Sequence, residues 1–527
     1  MTYLNRTNAL GLVVVGASLM TPGCREDREQ AQMPTTTATG GGTTGGLDDD
    51  DDGDDDSTLS ERLDIGSGDS GNLPVGCGGD VDCELIDILF VIDNSATMGE
   101  EQLNLAANFP LLIERLSNLD GDDGTIKADV NIMVTTSDFG HPLCTDFNKP
   151  GYVPSQGSPV FSGCNQRISS FTSPHPFNPT EIPEACTQGC PADVVPGGDP
   201  FLHFGPMSSN VPMGDVAAAL ACVGPQGIEG CGYEAPLETM LQALRPEACW
   251  NDPSRPECED DPAWGWVGRG FIRPGSTLAI AIITDEADCS VQAPTGFSWF
   301  TDSDNDEYWS LDPEAKAKLP SSAVCWNAGV DCVDDDDDGV YESCTPRDNE
   351  VLHPTSRYKD FLKYIQEELH NEVVMLGILG VPQVTEREEV PPYAPIKGGV
   401  DDVVYRDWND GEYDGTAQGG DILPAEWAKG VTAEHKQWEF GVGPGCTGKT
   451  TIMVENDEGE MEEKEIFTGQ AVPPVRIRDV CESLDIVDDV TGQVRKRCCI
   501  ESICGADFSP AIDCLTGIIQ ESISPVG

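Results

Sequence analysis

Asp93-Asn94-Ser95-Ala96-Thr97 sets one carboxylate and two hydroxyls at alternate positions, and a second acid, Asp285, closes the apolar run Thr277 to Thr284 (TLAIAIIT). These are hard oxygen donors, the kind that Mg2+ and Mn2+ take in a six-oxygen shell. Two hydroxyls and two acids neutralise a divalent ion without enclosing it, and a coordination position stays open to an outside ligand. The same residue types allow a plainer reading, because Asp93 and Ser95 are both good helix N-caps and could do no more than start the next helix.

Other clusters offer weaker chemistry. Asp334 to Gly339 (DDDDDG) fits DxDxDG, the first half of an EF-hand-type calcium loop. Position 12 of such a loop is Thr345 here, where bidentate Glu is needed, so Glu342 would have to substitute in a different geometry. Two readings stay open: Ca2+ held by Asp334, Asp336, Asp338 and Glu342, or a solvated acidic turn. Cys332 and Cys344 flank the loop and would tie it if paired. Gly443 to Thr450 (GPGCTGKT) satisfies GxxxxGK[ST] literally. A phosphate loop needs a buried strand before it and a helix N-terminus after it. Here the half-polar Gln437-Trp-Glu-Phe440 precedes and the strand-like Thr451-Ile-Met-Val454 follows, which predicts a hairpin turn and no nucleotide. HExxH and GxSxG are absent, and the six histidines are dispersed.

The elements that position Asp93 and Asp285 can be read from periodicity. Glu84 to Ile92 (ELIDILFVI) is a nearly continuous apolar run, as in a strand buried on both faces of a parallel sheet. A helix over about 99–118 follows, with Phe109, Leu112, Ile113 and Leu116 on one stripe and a kink or restart expected at Pro110. Further strands are predicted at about 127–136, 277–284, 372–379 and 493–500. Helices are predicted at about 214–222, 234–245, 355–370, 475–484 and 508–522. This alternation predicts an α/β fold with a doubly wound, mostly parallel sheet flanked by helices. Long, disulfide-rich insertions are expected at about 140–210, 288–352 and 382–470. Ligands of such sheets sit at the carboxyl ends of the strands, where Asp93 and Asp285 fall.

Val91-Ile-Asp93-Asn-Ser95-Ala-Thr97-Met98, with Ile282-Ile-Thr284-Asp285, resembles the metal-ion-dependent adhesion site (MIDAS) of von Willebrand factor A (VWA) domains. The resemblance covers the strands and helices between about 84 and 526 and leaves the insertions unmatched. It implies a Rossmann-like VWA fold, Ser95 and Thr97 as direct ligands of Mg2+ or Mn2+, and Asp93 and Asp285 as direct or water-bridged ones. It also implies a protein partner whose carboxylate completes the metal shell. The family has a Thr in a third loop, and the matching segment, Gly227 to Glu234 (GIEGCGYE), has none. Either Glu229 takes over, or water fills that corner, or the loop aligns differently. A carboxylate there would favour Ca2+ or Mn2+ over Mg2+.

Composition sets the surroundings. The 527 residues carry 93 acids against 30 basic residues, a formal net charge of −63. Such a field repels nucleic acid and anionic membrane faces and favours multivalent cations. The 21 cysteines fit an oxidising compartment. Arg6 and the apolar stretch Ala9 to Met20, too short to span a bilayer, precede Thr21-Pro-Gly-Cys24. This resembles a bacterial lipoprotein signal with Cys24 as the acylated residue, although Thr21 stands where Leu is usual, and a plainly cleaved signal is the other reading. Removing Cys24 leaves an even number of cysteines.

The expected organisation is a signal segment at 1–24, a disordered Gly/Thr/Asp-rich tether at 25–80 and a VWA-like domain at 81–527. The expected function is metal-dependent adhesion or scaffolding by a lipoprotein of the bacterial cell envelope, facing the periplasm or the outer-membrane surface. It would be held to the membrane by lipid alone and would not be an enzyme. The alternatives are a calcium-stabilised structural surface protein and an exported hydrolase using paired carboxylates.

Overall fold

The apolar run before Asp93 forms β1 (Cys83–Ile92), whose residues from Ile86 onward are all buried. The computed structural model describes residues 83–523 apart from 122–123, 126, 146–147, 174–180, 192–199, 207, 212–213, 259–269, 336, 412–419, 424–429, 456–460 and 488–491. The predicted signal segment, the tether and Cys24 lie outside the described residues, as does Asp336.

After β1 come α1 (Gly99–Ser117), β2 (Lys127–Thr136), β3 (Leu202–Phe204), α2 (Val216–Val223), α3 (Pro236–Leu244) and β4 (Thr277–Ile283). Next are α4 (Thr355–Glu368), β5 (Glu372–Leu379), α5 (Ala433–Phe440), β6 (Cys446–Glu455) and β7 (Met461–Ala471). The chain closes with α6 (Val475–Glu482), β8 (Cys498–Ser502) and α7 (Ser509–Ile523). Six strands form one sheet in the order β8-β5-β4-β1-β2-β3. All neighbours are parallel except the short edge strand β3, which runs antiparallel to β2.

Alternation along β1 explains why helices cover both faces. Ile86, Ile88, Phe90 and Ile92 pack with Leu105, Phe109 and Leu112 of α1 and with Leu515 and Ile518 of α7. Leu89 and Val91 point the other way, to Leu237 and Met240 of α3, Leu362 of α4 and Val480 of α6. The sheet is thus a mostly parallel α/β layer with apolar packing on each side.

Register is what builds the site. Ile92 of β1 stands level with Thr136 of β2 and with Ile283 of β4, so three adjacent strands end together. At the opposite end, a buried ion network ties β1 and β2 to the turn before β4. The Arg273 Nε donates to Asp87 Oδ1 at 2.8 Å, its backbone N–H donates to Asp87 Oδ2 at 2.8 Å, and its Nη1 pairs with Asp129.

Two sequence expectations need correction. Of the kink or restart expected at Pro110, the restart does not occur, and α1 runs unbroken through it. Pro110 itself is exposed, and buried Phe109 and Leu112 anchor the helix on either side of it. The single strand expected at 493–500 is two pieces: Val494–Arg495 pairs with Ile486–Val487, and only β8 joins the main sheet.

Among the described residues nine disulfides form, including Cys332–Cys344 across the acidic loop and Cys446–Cys504, which fastens the third insertion near the end of β8. So many bridges mark an oxidising, exported environment. Among the described residues no helix is long and apolar enough to cross a membrane.

Candidate metal centre

Asp93 leaves β1 fully buried, and both of its carboxylate oxygens are held. Oδ1 accepts from the Ser95 backbone N–H at 2.7 Å, and Oδ2 accepts from the Thr284 hydroxyl at 2.6 Å. The Ser95 and Thr97 hydroxyls stand 3.3 Å apart, and the Thr97 side chain lies beside the Asp285 carboxylate and lowers its pKa. Asp93, Ser95, Thr97 and Asp285 therefore meet at one end of the sheet. Thr97 and Ala96 are exposed, so the Thr97 edge of the cluster faces solvent while Ser95 is buried. The plain capping alternative does not describe this loop. The N-cap of α1 is Met98, with no side-chain cap bond, and the Asp93 carboxylate folds its own loop instead.

The third loop is locked against this one. Gln102 of α1 donates to the Asp93 carbonyl at 2.8 Å and to the Gly227 carbonyl at 2.7 Å, and its Oε1 accepts from the Gln226 and Gly227 amides. The Gly230 N–H donates to the Asn94 carbonyl at 2.8 Å. A Cβ at Gly230 would lie 2.5 Å from Asn94 Oδ1, so glycine is what allows the two loops to approach.

Glu229 points away from the cluster. It accepts from the Ser170 hydroxyl at 2.6 Å and pairs with Lys149 at 3.3 Å, both in the first insertion. The third-loop acid that does arrive is Glu234, fully buried and within hydrogen-bonding distance of Asp93. Its Oε2 accepts from the Ser137 hydroxyl at 2.5 Å, while its Oε1 accepts nothing.

Sequence reading also passes over Asp138, Glu101 and Glu286. Asp138 repeats the strand-then-acid pattern, since β2 ends at Thr136 and Ser137-Asp138 follow. It accepts from the Gly140 amide at 2.7 Å and from the Tyr152 hydroxyl at 2.5 Å, and Tyr152 in turn accepts from Asn94 Nδ2 at 3.0 Å. Glu101 looks like an ordinary first-turn acid of α1, yet its Oε2 is buried without a donor. Glu286 adjoins Asp285, and Lys436 of α5 partly offsets its charge.

The acids of this cluster all have raised pKa values. Burial is the largest cause for Asp93, Asp138, Glu101, Glu234, Asp285 and Glu286 alike. Asp285 is pushed up to about 7 by burial and then by the Asp93 charge. Asp285 Oδ1, like Glu101 Oε2 and Glu234 Oε1, is buried and accepts no hydrogen bond.

Set against known proteins, the chain matches no family model and no curated protein.

The other singled-out motifs do not form the sites their sequences suggest. Asp334 closes its own turn, accepting from the Asp338 and Gly339 amides at 3.2 and 3.1 Å, and Glu342 accepts from the Asp335 amide at 3.2 Å. The Gly443–Thr450 motif follows helix α5 and runs directly into β6, which pairs antiparallel with β7. Neither the strand before nor the helix after that a phosphate loop requires is present there, and the motif forms a hairpin arm rather than the turn expected. Two tight groups of possible ligands, Cys164/Cys186/Cys190 and Cys499/Glu501/Cys514, consist mainly of disulfide sulfurs and offer no thiolate.

Proposed function

We propose that the chain is an exported VWA-type domain whose strand-end cluster holds Mg2+ or Mn2+ and binds a protein partner through that ion. The observation that carries this reading is Asp285. Its buried Oδ1 accepts no hydrogen bond, and the exposed Thr97 side chain lies beside its carboxylate and lowers its pKa. A hard cation suits such a donor set of hydroxyls and carboxylates. Ser95, Thr97 and Asp285 would hold the ion directly and Asp93 directly or through water. The bound ion would supply an open position to a partner's carboxylate. Asp93 orients Ser95 and Thr284, and Gln102 keeps the third loop closed over the first.

The strand order supports a doubly wound sheet of the VWA kind, because β1 sits between β4 and β2 where the order of connection reverses. The role proposed is adhesion or scaffolding at a bacterial envelope, not catalysis, with a lipid on Cys24 as the anchor.

A pull-down from envelope extracts tests it. Wild type is expected to retain a partner with Mg2+ or Mn2+ and to lose it in chelator, and Asp93→Ala is expected to lose it in both conditions. Identical partner sets in all four arms would remove the adhesion reading.

A further inference from the structure

We infer that this end of the sheet binds two divalent cations side by side, the second held by Glu234, Asp138 and the side-chain carbonyl of Asn94. The inference rests on the function proposed above and extends it.

The sheet order sets the distances. Asp93 follows the central strand, Asp285 follows its neighbour β4 on one side, and Asp138 follows β2 on the other. Adjacent strands lie about 4.8 Å apart, so the backbones carrying Asp285 and Asp138 are separated by roughly 10 Å. Metal–oxygen bonds of about 2.0–2.6 Å make a shell only about 5 Å across. A single ion reaches both flanks only where the side chains from the two converge on it. Among the described residues no three of these acids gather their oxygens within 4.8 Å of one another, as one shared shell would require.

Oxygens without a donor occur on both flanks. On the β4 side they are Asp285 Oδ1 and Glu101 Oε2. On the β2 side they are Glu234 Oε1 and Asn94 Oδ1, on residues with 0% and 2% exposure. The second group is built as a site. Tyr152 bridges Asn94 and Asp138, Ser137 orients Glu234, and Gly230 gives the Asn94 side chain its space. Glu234 and Asp93 stand side by side as carboxyl groups that share a proton when no metal is bound, and a cation beside them can take that proton's place. Charge agrees with this count. Asp93, Glu101, Asp138, Glu234, Asp285 and Glu286 converge beside Lys436, and at the alkaline pH where these acids ionise one divalent ion offsets only two of their charges. A site left that negative would repel a partner carboxylate. A second ion makes the open position attractive to it.

Equilibrium dialysis of the full chain against Mn2+ at mildly alkaline pH, with electron paramagnetic resonance of the bound ion, tests the inference. Wild type is expected to hold one more tightly bound Mn2+ than Glu234→Gln or Asp138→Asn. Its spectrum should be broadened by a neighbouring ion, and those of the two variants should be single-ion spectra. Asp285→Asn should lose the other ion. Using both β2-side variants keeps the comparison intact should one of them fail to fold in a thermal melt. Equal counts and single-ion spectra in wild type and variants would overturn the second ion and leave the proposed function standing. No tightly bound ion in any of the proteins would overturn both.

Discussion

Replacing Arg273 with Met lowers stability by about 3–5 kcal/mol near neutral pH, read from denaturant unfolding. The guanidinium is the buried partner of two buried acids, Asp87 and Asp129, and it also donates to the Ile86 and Asp129 carbonyls at 2.9 Å. Methionine fills much of the volume but leaves the acids without their cation, and an uncompensated buried charge is the costly case. The cost depends on pH with a definite sign. Burial already raises the Asp87 pKa, and Arg273 is the largest force holding it down. Without Arg273 it rises further. A carboxyl whose folded pKa is raised contributes stability that is present below its unfolded pKa and lost as pH rises through the folded one. The variant's stability should therefore fall with rising pH more steeply than that of wild type, and a parallel pH profile would contradict this account. Asp87 lies six residues before Asp93, roughly 20 Å away along the strand, so the folded variant keeps its cation binding.

The second large effect is the coupling of metal, pH and stability. In chelator, wild type is expected to lose stability as pH rises from about 5 to about 8, because Asp285, held up to about 7, and Asp93, Glu234 and Glu286, raised in the same direction, must ionise while buried. Mg2+ reverses the trend, because it binds the ionised form and displaces protons. At a Mg2+ concentration of about 100 times Kd the gain is about 2.7 kcal/mol, and it should shrink toward zero at about pH 5. Asp93→Asn keeps the shape of the carboxylate and its bonds to Ser95 and Thr284 within reach but removes one buried charge. It should abolish the Mg2+ effect and leave the metal-free protein as stable as wild type, or more so, at about pH 8. If Asp93 only braced its loop, the same change would destabilise both forms equally. Thermal melts of both proteins, with Mg2+ and with chelator at each pH, separate the two outcomes.

The frame of the molecule was legible because long buried strands leave a strong apolar signature. The run ending at Asp93 and the run 372–379 could be bounded almost to the residue, since parallel strands covered on both faces need apolar side chains throughout. The loops gave no comparable signal. Glu234 was in view as the last residue of the third loop. Glu229 differs from it only in direction, and Lys149 and Ser170, which turn Glu229 aside, come from an insertion with no periodicity. Asp138 was obscured by its own context, because a strand ending Thr-Thr-Ser-Asp reads as ordinary turn chemistry until the register sets it level with Asp285 and one residue beyond Asp93. The helix restart expected at Pro110 fails for a different reason. Helix propensity is local, and the packing of Phe109 and Leu112 overrides it.

Anomalous diffraction from crystals of the full chain equilibrated with Mn2+ at mildly alkaline pH tests the central claim most directly. The account predicts a manganese peak in contact with the Ser95 and Thr97 hydroxyls and the Asp285 carboxylate. Manganese found only elsewhere on this acidic surface, or nowhere, with those three side chains well ordered, would contradict it.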